Sequence, residues 1–564
     1  MGMTMARLDD DLDRLLKLAQ TRPEEPAALA KLGALYEQRN EFVDALGVYG
    51  RAVALNPRNL DAWCRQGFCF MRLFKLKPAI ETFDFVLQMD ARHLDAIYGR
   101  AICMETMGAH DEAIALMEQA IALAPDNPNI YPFRAYLQAT YGGDPANTLA
   151  AFRDWGMRFA DPLTRAAPPL QIDLAPGRKL RVGYVSGDLR DHAVAYFVEP
   201  VFALHDRRQF EVSVFATGPA DHVSARIKRN VDQWFDVTAM TDLHLAGLIR
   251  RRKIDILIDL SGHTMGNRLL AFARRPAPVQ ATWLGFMYTT GMAAMDYRIT
   301  DFSVDPPGKT EAGHCETLFR MQGMACYQPP PDTPLALRAP MEEGGRPVFA
   351  SLNNLKKVTD DMLRLWRRVL DRVPDSILIL IGYERTQEEA IEQQRERLLA
   401  AGLPLERLCI LPRLALDGFM QLGLKADIAL DTFPISGGTT TMHSLWMGLP
   451  VVTIAGQQAF ESATAATLRG LYLDELIATD EDAYVELAAA LARDPARLAA
   501  FRSDIRARMQ RLPLMNHRFF VSDLEAAYRL MWLNHVCGEK RYLRSTYDLA
   551  AEITACEEGA AVAA

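Results

Sequence analysis

The residues whose types and spacing best suit chemistry are the run Gly437-Gly438-Thr439-Thr440-Thr441, which leads from an apolar strand, DIALDT, into a helix expected over 442–447. Glycines let backbone approach a ligand, hydroxyls donate, and the first turn of a helix holds unsatisfied N–H groups at its positive end. Together they make an anion site suited to phosphate. Two other segments read strand, polar loop, helix: LRVGYVS-GDLRDH and VFASLNN-LKKV. In an open parallel sheet such loops emerge at the carboxyl ends of the strands, where ligands bind. The expectation is a cleft that holds a phosphorylated small molecule.

The first of these loops carries His192, whose ring type titrates near neutrality and suits proton transfer or acceptor orientation; a lone loop histidine is more often structural. The second carries Lys357, between a strand end and a helix begun by Thr359-Asp360-Asp361. It is either a cation for a bound phosphate group or an ordinary surface lysine. His263, in SGHTMGN after another strand, either touches an acceptor or stabilises its own loop. The only D-x-D string in this region, Asp480-Glu481-Asp482, stands at an acidic helix start and reads as a cap, not a metal site. No metal and no cofactor are expected.

The elements that must position these residues begin at Lys179. Short β-branched runs alternate with amphipathic helices: LRVGYVS, FEVSVFAT, IDILIDL, VQATWLG and YRITD, then VFASLN, SILILIG, LCILP, DIALDT and PVVTIAG. A proline-rich stretch, 327–346, separates the two arrays. This predicts two Rossmann-like α/β domains, 179–335 and 345–535, whose facing carboxyl ends form a cleft. A tail covers 536–564.

The first third has a different period. Residues 26–59, 60–93 and 94–127 align at 34 residues, the length of a tetratricopeptide repeat. Small residues recur at position 8 (Gly33, Gly67, Ala101) and position 20 (Ala45, Ala79, Ala113); large ones recur at position 11 (Tyr36, Phe70, Met104) and position 24 (Tyr49, Phe83, Met117). Small side chains let the helices of one repeat cross closely, and bulky ones fill the next interface. With a leading helix over 12–23, the array spans 8–160 and forms a superhelix with an inner groove. The groove is either a docking surface for polypeptide or a dimerisation arm, and Asn40, Arg65 and Arg72 serve either. Residues 161–178, rich in Pro and Ala, read as a linker.

A chain of 564 residues with net charge −8 divides into two to four domains, and its charge argues against nucleic-acid binding. Eight scattered cysteines without a C-x-x-C pair read as reduced thiols. There is no signal-peptide core and no apolar stretch of spanning length, so a cytoplasmic location without a membrane span is expected.

LRVGYVSGDLRDH, IDILIDLSGHTMGNR, RPAPVQATWLGF, MDYRITD, SLNNLKKV and SGGTTTMHSLWMGLPVVT stand in the order found in the O-GlcNAc transferase family, which this chain resembles over 179–535. The resemblance implies tetratricopeptide repeats ahead of a glycosyltransferase of the two-Rossmann (GT-B) type, using UDP-GlcNAc, or UDP-glucose in asparagine-modifying relatives, with inversion and without a metal. It matches His192 to a histidine near donor and acceptor, Asn354 and Lys357 to residues that meet the donor diphosphate, Thr439 and Thr440 to the phosphate-binding threonines, and Gly285 to a glycine beside the sugar.

Four positions depart from the family. His443 replaces an aspartate that grips the donor ribose, Met287-Tyr288 replaces a glycine-proline turn, Glu461-Ser462 stands where an arginine is expected, and Gly438 replaces a histidine of the animal enzymes. The expected activity is GlcNAc transfer to Ser or Thr of a protein docked on the repeats, with a homodimer compatible. The alternatives are asparagine glucosylation from UDP-glucose, a non-catalytic scaffold that binds a nucleotide sugar, and a nucleotide-sugar epimerase, which needs no repeats.

Overall fold

The computed structural model describes residues 26–39, 41–141, 145–335, 337, 340–382, 387–538 and 553–556. The helix expected over 12–23, Asn40 and most of the 536–564 tail lie outside them. By packing, the chain divides into two compact units. One comprises residues up to Leu137 with Asn354–Leu363 and Leu380–Arg413; the other comprises Gln138–Asn353, Arg364–Ile379 and residues from Leu414 onward.

The smaller unit opens with three helix pairs: α1 Pro26–Gln38 and α2 Phe42–Leu55, α3 Leu60–Arg72 and α4 Leu76–Met89, α5 Leu94–Met107 and α6 His110–Leu123. Ala45, Ala79 and Ala113 are fully buried, as small residues at a close helix crossing must be. Gly33 and Gly67 lie under the rings of Tyr49 and Phe83 from their own repeats, and Phe83 also covers Gly99 of the next repeat; a Cβ on any of these glycines would overlap the ring. The large residue at position 24 therefore seals the seam inside its repeat as well as the seam beyond it, where spacing alone assigned it only to the latter. Asn59 caps α3 by accepting from the Ala62 amide. Arg65 faces Glu37 at 3.5 Å, and Arg72 stacks on Phe42 at 4.8 Å. In chain order two more helices follow, α7 Tyr131–Tyr141 and α8 Pro145–Trp155, the second of them in the larger unit.

Within the larger unit the segment expected as a linker is bonded at both ends. Asp161 accepts from Arg153 and from the Ala293 amide, and Arg178 donates to both oxygens of Asp255. The first sheet then forms from seven parallel strands in the order β3-β2-β1-β4-β5-β6-β7: β1 Leu180–Ser186, β2 Phe210–Ala216, β3 Gln233–Asp236, β4 Ile256–Asp259, β5 Val279–Thr282, β6 Tyr297–Asp301 and β7 Thr317–Met321. Its order reverses between β1 and β4, so the loops after these two strands flank the crevice where ligands bind.

The second sheet has the order β10-β9-β8-β11-β12-β13, with β8 Val348–Ser351, β9 Ile377–Ile381, β10 Leu408–Leu411, β11 Ile428–Leu430, β12 Val451–Ile454 and β13 Ile477–Ala478. It reverses between β8 and β11. The last long helix, His517–Cys537, returns to the core of the first sheet, where Phe520, Leu524 and Tyr528 pack with Tyr184, Phe202 and Phe210. The Tyr528 and Tyr184 hydroxyls lie 3.0 Å apart.

Six of the eight cysteines remain thiols, but Cys537 and Cys556 form a disulfide with Cα atoms 6.1 Å apart. This corrects the expectation of eight reduced thiols; a 19-residue separation carries no recognisable spacing signal. Among the described residues no helix is long and apolar enough to cross a membrane.

Candidate nucleotide-sugar site

The β1 loop is built on Asp221, which caps its own helix through the Val223 and Ser224 amides and also accepts from the Asp191 amide at 2.6 Å. One residue on, His192 accepts a long hydrogen bond from the Val194 amide at Nδ1, 3.4 Å, which leaves the proton on Nε2, 3.7 Å from Asp188. Burial lowers its pKa, and Asp188 opposes the shift. Burial thus favours the neutral ring, while the side chain, 38% exposed, stays open to solvent.

The β4 loop turns on Asp259, 1% exposed, whose carboxylate takes the Ser261 and Gly262 amides and the Thr282 hydroxyl. Burial still pushes its carboxyl up to about 6. Gly262 has φ +53, and a Cβ there would overlap Phe286. His263 follows and turns inward. Its Nε2 donates to the Thr290 carbonyl at 2.9 Å, its ring stacks on Phe152, and Trp155 meets it edge-on. Nδ1 has no partner among the described residues, and burial pushes the ring down to about 4. This ring joins α8 to the loops after β4 and β5.

Gly285 lies against the Leu260 carbonyl so closely that any Cβ would overlap it, which is why a glycine stands there. The Met287-Tyr288 departure is absorbed by packing. Tyr288 lies 4.5 Å from the Phe460 ring with its hydroxyl 2.7 Å from that of Thr140, and Met287 packs on Val304, Ala459 and Ala466. Where an arginine was expected, Glu461 accepts from the Gln457 and Gln458 amides and Ser462 donates to the Gly456 carbonyl.

At the second reversal point the organising residue is Asp431, directly after β11. It accepts from Asn353 Nδ2 at 2.9 Å, from the Gly437 amide at 2.8 Å and from the Thr453 hydroxyl at 2.7 Å, and its carbonyl takes the Tyr484 hydroxyl. Sequence reasoning passed over it because every partner except Gly437 is remote along the chain. Asp431 thereby ties the end of β8 to the glycine-threonine loop.

The helix after that loop spans Thr439–Trp446, three residues earlier than expected, with Gly438 as its N-cap and no side chain capping it. Thr441 is locked to Thr464, hydroxyl to hydroxyl at 2.8 Å. The half-buried Thr439 and Thr440 hydroxyls make no hydrogen bond to any described residue. An uncapped first turn with two such hydroxyls is a ready site for phosphate.

His443, one turn later, is buried: its Nδ1 lies 2.6 Å from the Tyr327 hydroxyl, and its ring meets Tyr196 edge-on at 5.1 Å. Burial pushes it down to about 4. Tyr196 belongs to the helix Ala195–Leu204, four residues past His192. The contact sets the starts of two helices side by side, one preceded by His192 and the other carrying Thr439 and Thr440.

In the smaller unit, Asn354 is exposed and caps the short turn Leu355–Lys357 by accepting from the Lys356 amide. Lys357, half-buried, ends the turn. At the acidic string, Asp480 caps its helix through the Ala483 amide, as the sequence implied.

The family model for glycosyl transferase family 41 matches residues 167–324 and 343–524, and tetratricopeptide-repeat models match 28–62 and 70–139. A solved structure of a mutant O-GlcNAc transferase from Thermobaculum terrenum superposes with TM-score 0.84 at 33% identity, covering 91% of this chain and 98% of that one. The probable UDP-N-acetylglucosamine–peptide N-acetylglucosaminyltransferases SPINDLY of Petunia hybrida and Arabidopsis thaliana are each 37% identical over 71% and 72% of this chain. The matches span 44% and 45% of those two proteins, so the chain covers less than half the length of these relatives. Repeats followed by two parallel sheets on the GT-B plan, with a family match across both sheets, place this chain in glycosyl transferase family 41.

Proposed function

We propose that this chain is an inverting protein glycosyltransferase that moves GlcNAc from UDP-GlcNAc to Ser or Thr of a polypeptide docked on its repeats. The observation that carries the reading is the uncapped start of the Thr439–Trp446 helix at the β8/β11 reversal, with the Thr439 and Thr440 hydroxyls available. Those groups, with Gly437 and Gly438, receive the diphosphate of the donor. Gly285 admits the sugar; in the smaller unit, the Asn354 amide and the Lys357 ammonium are the groups suited to charge that develops on a leaving group.

In the transfer, the bond from the anomeric carbon to the diphosphate oxygen breaks as a bond to the acceptor oxygen forms on the opposite face, and the hydroxyl proton departs. His192, neutral and half-open, orients that hydroxyl or accepts its proton. His263 supports the acceptor side through the Thr290 carbonyl. His443 reaches the donor ribose only through Tyr327 and its own helix, a weaker grip than a carboxylate gives. No metal or cofactor takes part in this scheme, and the setting is cytoplasmic.

Incubating the protein with cell lysate and a panel of UDP-sugars, then mapping modified residues by mass spectrometry, tests the reading. GlcNAc on Ser or Thr is the expected result, and Lys357→Ala should lower kcat by roughly 10²–10³-fold. Glucose on asparagine, or no transfer from any donor, would overturn it.

A further inference from the structure

We propose that the third repeat positions the diphosphate-binding lysine, with Glu105 of α5 as a positioning residue that acts through Lys356. The inference rests on the assignment of Lys357 to the donor diphosphate. Glu105 lies near the end of α5, and its side chain is 3% exposed. Its Oε2 is 3.2 Å from Lys356 Nζ. A carboxylate so deeply placed needs a partner, and burial drives it toward the neutral form while Lys356 opposes that. Lys356 in turn precedes Lys357 on the same short turn. Side chains on a 3₁₀ turn succeed one another at about a third of a revolution, so holding Lys356 against α5 fixes a different bearing for Lys357.

The other flank of Lys357 is held from the same repeat. Gly108, with φ +82, ends α5, and the Arg397 guanidinium occupies the space where its side chain would be. Arg397 donates to the Val358 carbonyl and, at 2.6 Å, to Asp360. Residues 356, 358 and 360 are thus all tied, directly or through Arg397, to the end of one repeat helix. A cation acts on a leaving group only if it is already in place, since any reorganisation subtracts from its effect. The repeat is therefore part of what arranges Lys357.

The test is UDP binding to the full chain by calorimetry, in four proteins: wild type, Glu105→Gln, Lys357→Ala and the double variant. Glu105→Gln should weaken UDP about tenfold on its own but less than about twofold in the Lys357→Ala background, because the two act as one unit. Glu105→Asp, which keeps the charge within reach of the flexible Lys356 side chain, should recover most of the affinity. Lys356→Gln alters the same pair from its half-exposed end, guards against a misfolded Glu105→Gln, and should lose affinity to a similar extent. Equal fold-losses from Glu105→Gln in both backgrounds, or unchanged UDP affinity in both Glu105→Gln and Lys356→Gln, would overturn the proposal. A wild-type chain that binds no UDP would instead remove the donor-site assignment beneath it.

Discussion

At the scale of single residues, the two glycines of the phosphate loop make opposite demands. A Cβ on Gly437 would overlap the Thr441 hydroxyl and press on Asp431 and Thr464, whereas one on Gly438 meets nothing within 4 Å. Gly437→Ala should therefore break the Thr441–Thr464 bond and cost about 1–3 kcal/mol of stability, the usual range for forced overpacking. Gly438→Ala should leave the melting temperature within about a degree of wild type. Thermal unfolding of both variants measures the contrast, and similar melting temperatures would show that the loop has more room than its geometry allows. The glycines and threonines were legible in the sequence because their chemistry is local. Asp431 was not, since its partners Asn353, Thr453 and Tyr484 are separated from it by 78, 22 and 53 residues. His443 was legible only in part for the same reason: its helix position was readable, but the Tyr327 hydroxyl that engages it lies 116 residues away.

Secondary-structure elements show where pattern reading stops. Every strand anticipated from β-branched runs is present, and the three that were missed, β3, β7 and β13, are all edge strands. An edge strand is covered on one side only and need not be apolar: β3 reads QWFD and is at most half-buried, and β13 has two residues. The 34-residue period gave the starts of α1, α3 and α5 because each repeat must present the same small residues to its partner. Sequence order could not reveal that the helix His517–Cys537 belongs to the core of the first sheet. Its residue Tyr528 is fully buried between Tyr184, His205 and Phe210. Tyr528→Ala should cost about 3–5 kcal/mol, the range for emptying an aromatic site in a core. Denaturant unfolding would register it, and a loss below about 1 kcal/mol would mean that the helix is only loosely docked.

For the molecule as a whole, buried histidines set the acid limit of stability. His263 and His443 are both pushed down to about 4 by burial, while in the unfolded chain they titrate near the ordinary 6.5. A folded-state pKa below the unfolded one means that the unfolded chain takes up protons first as pH falls. The stability these rings contribute is thus complete above pH 6.5 and is lost between 6.5 and about 4, at most about 3 kcal/mol each. The melting temperature should fall steadily across that window. His443→Gln keeps a polar partner for Tyr327 but cannot titrate there, so it should lower the melting temperature at pH 7.5 while flattening the decline toward pH 4.5. The slope is the informative quantity, because lost aromatic packing against Tyr196 shifts the whole curve without tilting it. A variant whose curve runs parallel to wild type would show that the acid sensitivity arises elsewhere, in carboxylates such as Asp305, whose pKa is held well below the ordinary range through His314 and Arg298 despite burial and which also loses its stabilising charge in acid.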